Sequence, residues 1–246
     1  MERLRNWIEV DGVASKCFGL YMDKLPLWPV SSETVENIAL PGVPIEIDRH
    51  TGQYRDIDLT LTGYITRPPY RIPEIMEWLH NGKRLMMSTQ PTVYGIIRNV
   101  GQITPSRIGT RANEVRIPIT CLPFKYRLQN FPVEFDTSPA HYHIYGNVYA
   151  EPLIELDVDS ESLGAAILWV NDVTLQILTP ALDTGHITID VARKKVYKVA
   201  SDGTKTIIQA YTSGKFWRMV LYPGENEIKW NFGITKVTLT PNERWL

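Results

Sequence analysis

The side chains in this sequence that could bind a metal ion or carry out catalysis are few and scattered. His141 and His143 stand two residues apart, which would place both imidazoles on one face of a strand at a spacing that zinc can use. The sequence indicates no third or fourth ligand nearby. We therefore interpret the pair as ordinary polar side chains in a linker.

A second group of candidates is the acidic stretch that begins at Asp157. Asp157, Asp159 and Glu161 alternate like the first ligands of a calcium loop, but Ser162 stands where an EF-hand requires glycine. The same carboxylates could be the acid pair of a glycosidase. Acids that alternate along a strand are typical of a solvated outer face, which is the interpretation we adopt.

Tryptophan offers a different chemistry, because an exposed indole ring can stack on a sugar. Trp169 and Trp217 would favour a carbohydrate-binding module if they lie exposed beside polar groups. Trp230 falls on the inward set of its strand, so we predict that it packs in the core.

The sequence contains none of the strong catalytic or cofactor-binding motifs. It has no Gly-x-Ser-x-Gly elbow, no Gly-x-x-x-x-Gly-Lys loop, no Gly-x-Gly-x-x-Gly and no His-Glu-x-x-His. Cys17 and Cys121 are far apart and form no Cys-x-x-Cys pair, so we predict that both are reduced and buried. We predict no enzyme activity, no cofactor, and no catalytic, cofactor-binding or metal-binding residue.

The composition is that of a folded globular chain. The 246 residues are 43% apolar and 22% charged, and the length suits one or two domains, of which we favour two. The net charge of −1 gives little support to sequence-specific nucleic-acid binding, since basic groups that neutralise phosphates supply most of that affinity. The longest apolar run, Ala165 to Val170, is too short for membrane insertion, and residues 1–7 have no apolar signal-peptide core. We expect folding in the cytoplasm where the chain is made.

Period-two alternation of apolar and polar residues is the dominant pattern. Ile57, Leu59 and Leu61 alternate with polar residues, which predicts a half-buried strand. The stretch 114–121 alternates in the same way. Pro118 on its outward set indicates an edge strand, because proline cannot donate a ladder hydrogen bond.

One segment has a helical pattern instead. Residues 73–81 begin with proline, carry glutamate in the first turn and are followed by Gly82, which is typical of a short helix. Ile75, Trp78 and Leu79 would form its buried stripe. We therefore expect Trp78 to pack in the core and not to serve as a ligand platform.

The alternation lapses after residue 122. Prolines and aromatic residues accumulate between 123 and 139, which indicates an extended, ordered connection. We place the domain boundary near 132–145 and divide the chain into residues 1–136 and 137–246. In the second part, short alternating strands follow one another without a helix, which predicts an antiparallel sandwich.

Several strand and turn motifs follow one another along the chain. They are Trp7 to Gly12, Glu77 to Leu85 and Ile119 to Tyr126 and, in the second half, Gly146-Asn147, Pro152 to Ile154, Trp169 to Asp172, Ile187 to Asp190 and Leu221 to Trp230. By their order and spacing together, they resemble the distal tail protein (Dit) family of long-tailed phages over nearly the whole length. The first three are similar to that family's first hairpin, its Trp-Leu-x-x-Gly helix end and its Cys-x-Pro-Phe-x-Tyr stretch.

The resemblance implies a mainly β fold: an N-terminal β-sandwich with one short helix and a protruding hairpin, followed by a C-terminal galectin-like antiparallel β-sandwich. It implies a homo-hexameric ring in which N-terminal domains surround a channel for DNA and C-terminal domains project outward. The expected partners are the tail tube protein, the tail-associated tip protein and, often, receptor-binding proteins. The expected location is the virion tail tip, after assembly in the host cytoplasm.

Three functions stay open: a structural hub, which we favour, a carbohydrate-binding module and a sandwich-fold glycosidase. The sequence does not identify the interface residues of a ring, although segments 41–54 and 66–73 could reach a neighbour. We expect the C-terminal domain to be an attachment platform and not a lectin. Beyond residue 146 its one histidine is His186, without a His-x-Asn-x-Arg spacing, and the Glu-Arg-Trp run 243–245 lies at the chain end.

Overall fold

The computed structural model describes residues 6–39, 41–42, 45, 47–66, 72–108, 112–158, 165–178, 185–200 and 202–246. The chain divides into two compact units, residues 1–128 together with Leu246, and residues 129–245. Each unit has its own cluster of buried apolar side chains. No helix in the described ranges has the length and apolar character needed to cross a membrane.

The first unit consists of antiparallel strands and one α-helix. In chain order these elements are β1 (Ile8–Val10), β2 (Val13–Ala14), β3 (Leu20–Met22), β4 (Glu33–Ile38), β5 (Ile47–Tyr54), β6 (Ile57–Ile65), α1 (Ile72–Asn81), β7 (Arg84–Met87), β8 (Gln90–Val100), β9 (Thr104–Ile108) and β10 (Ala112–Arg127). The main sheet has the order β2-β1-β7-β8-β10-β6-β3, and β9 also pairs with β10. Strands β4 and β5 form a separate two-stranded ribbon.

The predicted alternation in β6 and β10 is confirmed. The two strands pair antiparallel, from Asn113 opposite Ile65 to Cys121 opposite Ile57. Their inward side chains are at most 7% exposed, so one face of both strands lies on the core. These buried side chains are Ile57, Leu59, Leu61, Val115, Ile117, Ile119 and Cys121.

Pro118 lies inside the sheet, so the prediction of an edge strand is wrong. On the side away from β6, β10 pairs with β9 up to Arg116 and with β8 from Ile119 onward. Pro118 falls between these two stretches, and its carbonyl accepts a 2.8 Å hydrogen bond from the N–H of Gly101. Its nitrogen faces the same β8–β9 connection, where no ladder hydrogen bond is lost.

The predicted helix is confirmed as α1. Ile75 and Leu79 are buried, and Trp78 is half-buried against the same core. The Trp78 ring lies 4.9 Å from the ring of Phe18, and its indole N–H donates to the carbonyl of Val10 at 3.4 Å. Trp78 therefore packs, as its position in the stripe predicts.

The connection expected after residue 122 contains regular structure. β10 continues to Arg127, and it is followed by β11 (Val133–Phe135) and β12 (Ala140–Ile144). Val133 pairs with Leu239, deep in the second half of the chain. The compact units therefore divide between residues 128 and 129, ahead of the expected boundary between 136 and 137. A strand of three residues, such as β11, is too short to produce readable alternation.

The second unit is an antiparallel sandwich, as predicted. After β11 and β12 its strands are β13 (Leu153–Val158), β14 (Ala166–Val170), β15 (Val173–Ile177), β16 (Gly185–Asp190), β17 (Lys195–Val199), β18 (Lys205–Ile207), β19 (Thr212–Gly214), β20 (Gly224–Trp230), β21 (Ile234–Thr240) and β22 (Arg244–Trp245). One sheet has the order β11-β21-β13-β16-β17-β18 and the other β12-β20-β14-β15-β19. Side chains from both sheets form a single buried cluster, which includes Leu156 and Ile189 from the first and Leu168 and Ile228 from the second.

The two cysteines differ in environment. Cys121 is buried in β10, and this burial raises the pKa of its thiol to about 12. Cys17 is exposed, so the prediction of burial is wrong for this residue. It lies in a 3-10 helix, Ser15–Phe18, of which only Ser15 is buried.

Candidate interaction surfaces

The β4–β5 ribbon (Glu33–Ile38 and Ile47–Tyr54) pairs only with itself among the residues that the structure describes. Of the segment 41–54, which the sequence suggests could reach a neighbour, residues 47–54 form strand β5. Ile38 and Ile47 face each other across the ribbon. At the base, the rings of Tyr54 and Phe124 are 5.3 Å apart, which ties the ribbon to β10. The other suggested segment, 66–73, includes residues 67–71, which lie outside the described ranges.

The ribbon exposes apolar side chains on both faces. Ile38 and Ile47 are 39% and 51% exposed on one face, and Val35 is 39% exposed on the other. Ile45, just before β5, is 71% exposed. Branched apolar side chains that no core covers mark an interaction surface, since their burial by a partner is favourable.

The segment that leads into the ribbon is apolar as well. Leu25, Leu27 and Val30 are 50%, 71% and 72% exposed. The segment is held by Trp28, which is buried and packs so closely on Gly95 that a Cβ there would lie 2.4 Å from the indole. Trp28 therefore fixes a backbone whose neighbouring leucines remain open to solvent.

Polar contacts within the ribbon hold its two strands in register. A carboxylate oxygen of Glu33 lies 3.0 Å from Nδ1 of His50, and the other oxygen accepts the Gly52 N–H at 3.1 Å. The bond to His50, followed by that from Gly52, holds the pKa of Glu33 below its ordinary value. The ribbon is thus ordered by its own hydrogen bonds while its apolar side chains stay exposed.

This arrangement predicts a pH dependence confined to the ribbon. Glu33 should titrate below 4.5, because the ionised form accepts both bonds. The contribution to ribbon order is present above the unfolded pKa and is lost as pH falls through the lower folded pKa. NMR titration should show this, with His50→Ala moving the Glu33 pKa back towards 4.5 and Glu36→Gln leaving it in place. An unshifted Glu33 in the wild type would contradict the geometry.

A second feature of the first unit is an open groove beside α1. Its volume is about 420 Å³, and its lining combines apolar side chains with three carboxylates, those of Asp11, Glu74 and Glu77. The lining includes Val10, Val13, Phe18, Trp78, Glu74 and Glu77. A groove with this lining can take an apolar side chain from a partner that also carries a positive charge.

The His141 and His143 pair lies on the edge strand β12. Nδ1 of His143 is 2.9 Å from a carboxylate oxygen of Glu225 on β20, and His141 lies opposite Glu227. Glu227 in turn forms a 2.8 Å ion pair with Lys229. In the described ranges, no group of three or more His, Cys, Asp or Glu side chains is placed to hold a metal ion.

The acidic stretch is only partly described. Asp157 on β13 forms a hydrogen bond with Nδ1 of His186 on the neighbouring strand β16. Asp159, Glu161 and Ser162 lie outside the described residues. Asp157 therefore forms a cross-strand pair with His186 on the outer face of its sheet.

The second unit has four tryptophans, and the three that the sequence analysis singled out occupy different environments. Trp230 is 8% exposed and belongs to the core, as predicted. Trp169 is partly exposed on the outer face of β14, between Lys229 on one neighbouring strand and Thr174 on the other. Trp217 is 42% exposed beside the buried ring of Phe216. Of these three, Trp169 is the one that combines partial exposure with polar residues on both adjacent strands.

The chain-end run 243–245 serves packing in the second unit. Glu243 and Arg244 are 1% and 5% exposed. The Arg244 guanidinium stacks over the Tyr149 ring at 4.5 Å, donates from Nε to the Tyr149 carbonyl at 2.6 Å and pairs with Glu151 at 3.1 Å. These groups are occupied within the unit and do not form an open sugar-binding pair.

Asn226 on β20 is a key residue that the sequence analysis did not identify. It is 1% exposed, and its amide oxygen accepts from the Tyr222 N–H at 2.8 Å and from the Asn171 side chain at 2.9 Å. Its amide nitrogen donates to the carbonyls of Tyr222 and Gly224 at 2.8 and 3.0 Å. A polar residue on the inward set of an alternating strand is the sequence signal for such a site.

Comparison with solved structures identifies the fold. The structure of the phage SPP1 Dit protein (gp 19.1), described as a paradigm of the hub adsorption apparatus in Gram-positive infecting phages, aligns with a TM-score of 0.73 and 16% identity. The alignment covers 98% of this chain and 99% of that chain. A chain of the phage P2 baseplate, in its activated conformation with Ca, aligns with a TM-score of 0.47 and 9% identity over 96% of this chain and 97% of that one.

No protein-family model matches the chain, and no curated protein matches it by sequence. At 16% identity, the SPP1 Dit alignment establishes a shared fold along the whole chain. It confirms the resemblance to distal tail proteins at the level of fold, and with it the predicted mainly β architecture of sandwich-forming antiparallel sheets, a short helix and a separate hairpin.

Proposed function

We propose that this chain is a non-catalytic structural hub of a phage tail tip that assembles as a homo-hexameric ring around a channel for DNA. The observation that carries the proposal is the SPP1 Dit fold, which extends over 98% of the chain. SPP1 Dit is a hub protein of an adsorption apparatus. The proposed location is the tail tip of the virion.

The exposed ribbon supports the ring. A closed ring requires a heterologous interface, in which one surface of a subunit meets a different surface of its neighbour. The β4–β5 ribbon and the preceding segment supply one such surface, because they display apolar side chains that their own unit does not bury. In this proposal the first unit forms the ring and the ribbon contacts the adjacent subunit.

The second unit is proposed to be the galectin-like, outward-facing attachment platform. The expected partners are the tail tube protein, the tail-associated tip protein and receptor-binding proteins. Negative-stain imaging and light scattering of the purified chain, alone and with the tail proteins, test the assembly. Particles with a six-fold ring support the proposal, whereas a monomer of 28.2 kDa under every condition would refute it.

A carbohydrate-binding module is the second candidate, and the position of Trp169 favours it. An indole between Lys229 and Thr174 on a solvent-facing sheet can stack on a sugar ring while its neighbours hydrogen-bond the hydroxyls. The sheet is open and the adjacent Lys229 is already paired with Glu227. Few polar groups are therefore free to orient a sugar, and we expect binding to be weak.

Titration calorimetry of the full chain with galactosides, supported by a glycan array, distinguishes the two candidates. We expect no sub-millimolar binding by the wild type, and no difference between the wild type and Trp169→Ala or Trp217→Ala. Sub-millimolar binding that either substitution abolishes would replace the platform with a lectin. The ring measurements are independent of this result.

A further inference from the structure

The Lys and Arg residues of the second unit are concentrated in one stretch, which we name the basic rim (residues 193–218). This stretch holds one acid, Asp202, while the rest of the unit has three Lys and Arg residues and thirteen Asp and Glu residues. A net charge near zero for the whole chain therefore conceals two regions of opposite sign. The seven basic residues of the rim are Arg193, Lys194, Lys195, Lys198, Lys205, Lys215 and Arg218.

The basic rim follows one side of the sandwich. β17 and β18 lie at the edge of one sheet, and β19 is the edge strand of the other. The 3-10 helix Gln209–Tyr211 crosses between them, anchored by bonds from Ile208 N–H to the Val196 carbonyl at 3.0 Å and from Leu178 N–H to the Tyr211 carbonyl at 2.9 Å. The described residues of the rim, 193–200 and 202–218, therefore run along the side of the sandwich where β18 and β19 are the edge strands.

The Lys and Arg residues of the second unit that lie outside the rim form ion pairs with carboxylates. Lys229 pairs with Glu227 at 2.8 Å, Lys236 with Glu134 at 2.7 Å, and Arg244 with Glu151 at 3.1 Å. All three basic residues of the unit that lie outside the rim therefore have an ion-pair partner.

Most cations of the rim differ in this respect. Arg193 forms an ion pair with Asp190 at 3.4 Å. Five others are exposed and have no carboxylate within ion-pair distance in the part of the chain that the structure describes; they are Lys194, Lys195, Lys205, Lys215 and Arg218. Their charge is consequently available to an anion from outside the molecule.

The side chains around Tyr197 indicate how such an anion would be held. Tyr197 lies opposite Ile207 on the outer face of the β17–β18 pair, and the Lys205 ammonium stands 4.9 Å over its ring. Lys195 lies on the same face two residues away. Protection of the β18 edge would account for Lys205, but not for Lys194, Lys195, Lys215 and Arg218, which are not on that strand.

We propose that the basic rim binds a flexible phosphodiester polymer of sugars or polyols. Lysine binds phosphate as a point charge, and five of the seven rim cations are lysines. Lysine is depleted in protein–protein interfaces, which makes a folded protein partner the weaker interpretation. Single-stranded nucleic acid stacks successive bases on free aromatic faces. Tyr197, the ring among the rim's lysines, has one face covered by Lys205, and the exposed rings of Tyr211 and Trp217 can stack on a sugar as well as on a base. An oligothymidylate probe therefore decides between the two polymers.

The test is binding of the full chain to a synthetic glycerol phosphate oligomer, measured by calorimetry over a range of salt concentrations. The affinity should fall as salt rises, because bound cations displace counterions from the polymer. The double variant Lys195→Gln/Lys205→Gln should bind roughly 10- to 30-fold more weakly, at about fivefold per lysine. Lys16→Gln/Lys24→Gln, which removes two exposed lysines of the first unit, should bind like the wild type.

Two further probes of matched charge separate the other classes of ligand. An oligothymidylate that binds more tightly than the glycerol phosphate oligomer would identify a nucleic-acid site and overturn the proposal. Poly-L-glutamate that binds equally well would identify a docking site for acidic protein and overturn it as well. Absence of binding by the wild type at low salt, or an unchanged affinity of the rim variant, would refute the site itself. Unfolding curves of the variants check that the fold is retained.

Discussion

The double variant Ile38→Asp/Ile47→Asp is expected to fold like the wild type and to lose the ring. These two side chains face each other across the ribbon and are 39% and 51% exposed, so they contribute little to the stability of their own unit. In a ring they would be buried against a neighbour, where covering the exposed half of each isoleucine contributes about 1 kcal/mol. The substitutions would also place two carboxylates in an apolar contact.

The binding free energy that the two isoleucines contribute is lost at every interface of a closed ring. We expect the dissociation constant of each contact to rise by roughly two orders of magnitude or more, since about 1.4 kcal/mol corresponds to a factor of ten. Light scattering should then report the monomer at concentrations where the wild type forms rings. Asn37→Asp, which adds one charge to the opposite face of the same ribbon, should have a much smaller effect.

The results distinguish two conclusions. A double variant that assembles like the wild type would show that the ribbon is not the contact surface, while a ring-forming wild type would leave the hub proposal in place. A wild type that stays monomeric with and without tail proteins would instead remove the hub proposal itself. The midpoint of thermal unfolding, which should stay within a few degrees of the wild type, excludes loss of fold as the cause.

Much of the fold was predictable from the sequence where one face of a strand is buried. β6 and β10 are long strands in a sheet with a single core face, so apolar and polar residues alternate in them. The same reasoning identified α1, because a helix on a core has an apolar stripe. Sequence alone gives a misleading answer for Pro118, since its position between two pairing partners is a property of the assembled sheet.

The ribbon could not be predicted in this way. β4 and β5 bury almost no side chains. Since neither strand has a face on a core, apolar and polar residues do not alternate in residues 33–54. A two-stranded ribbon that packs on no core can be recognised only from the three-dimensional structure. The ribbon, which we propose as the interface, is therefore the part of the first unit with the weakest period-two alternation in its sequence.

The basic rim was concealed for a different reason. Composition averages charge over the chain, and a net charge of −1 argues against affinity for anions. The structure separates cations that have carboxylate partners, such as Lys236, from those that have none among the described residues, such as Lys195. Whether a charge is available to a ligand depends on its neighbours across strands, which linear sequence does not specify.

Asn226→Ala is expected to destabilise the second unit severely. The side chain is 1% exposed and links the loop before β20 to Asn171 in the β14–β15 turn. Its removal would take away the acceptor of the Tyr222 N–H, one acceptor of the Asn171 amide, and the donor to the Tyr222 and Gly224 carbonyls. A hydrogen bond contributes about 0.5 to 1.5 kcal/mol net, so the loss of all four should cost roughly 3 to 5 kcal/mol.

Thermal or urea unfolding of the full chain measures this effect. A loss of that size should lower the melting temperature of the second unit by roughly 10 to 20 °C. Glu225→Ala is the matched control. Glu225 is the residue next to Asn226, and its side chain is exposed. Its substitution removes only a surface contact with His143, which contributes at most about 1 kcal/mol. If Asn226→Ala and Glu225→Ala melt at the same temperature, the asparagine does not hold the loop. The loop before β20 would then be held by other contacts, such as the buried side chain of Leu221 and its backbone hydrogen bonds to Ala150.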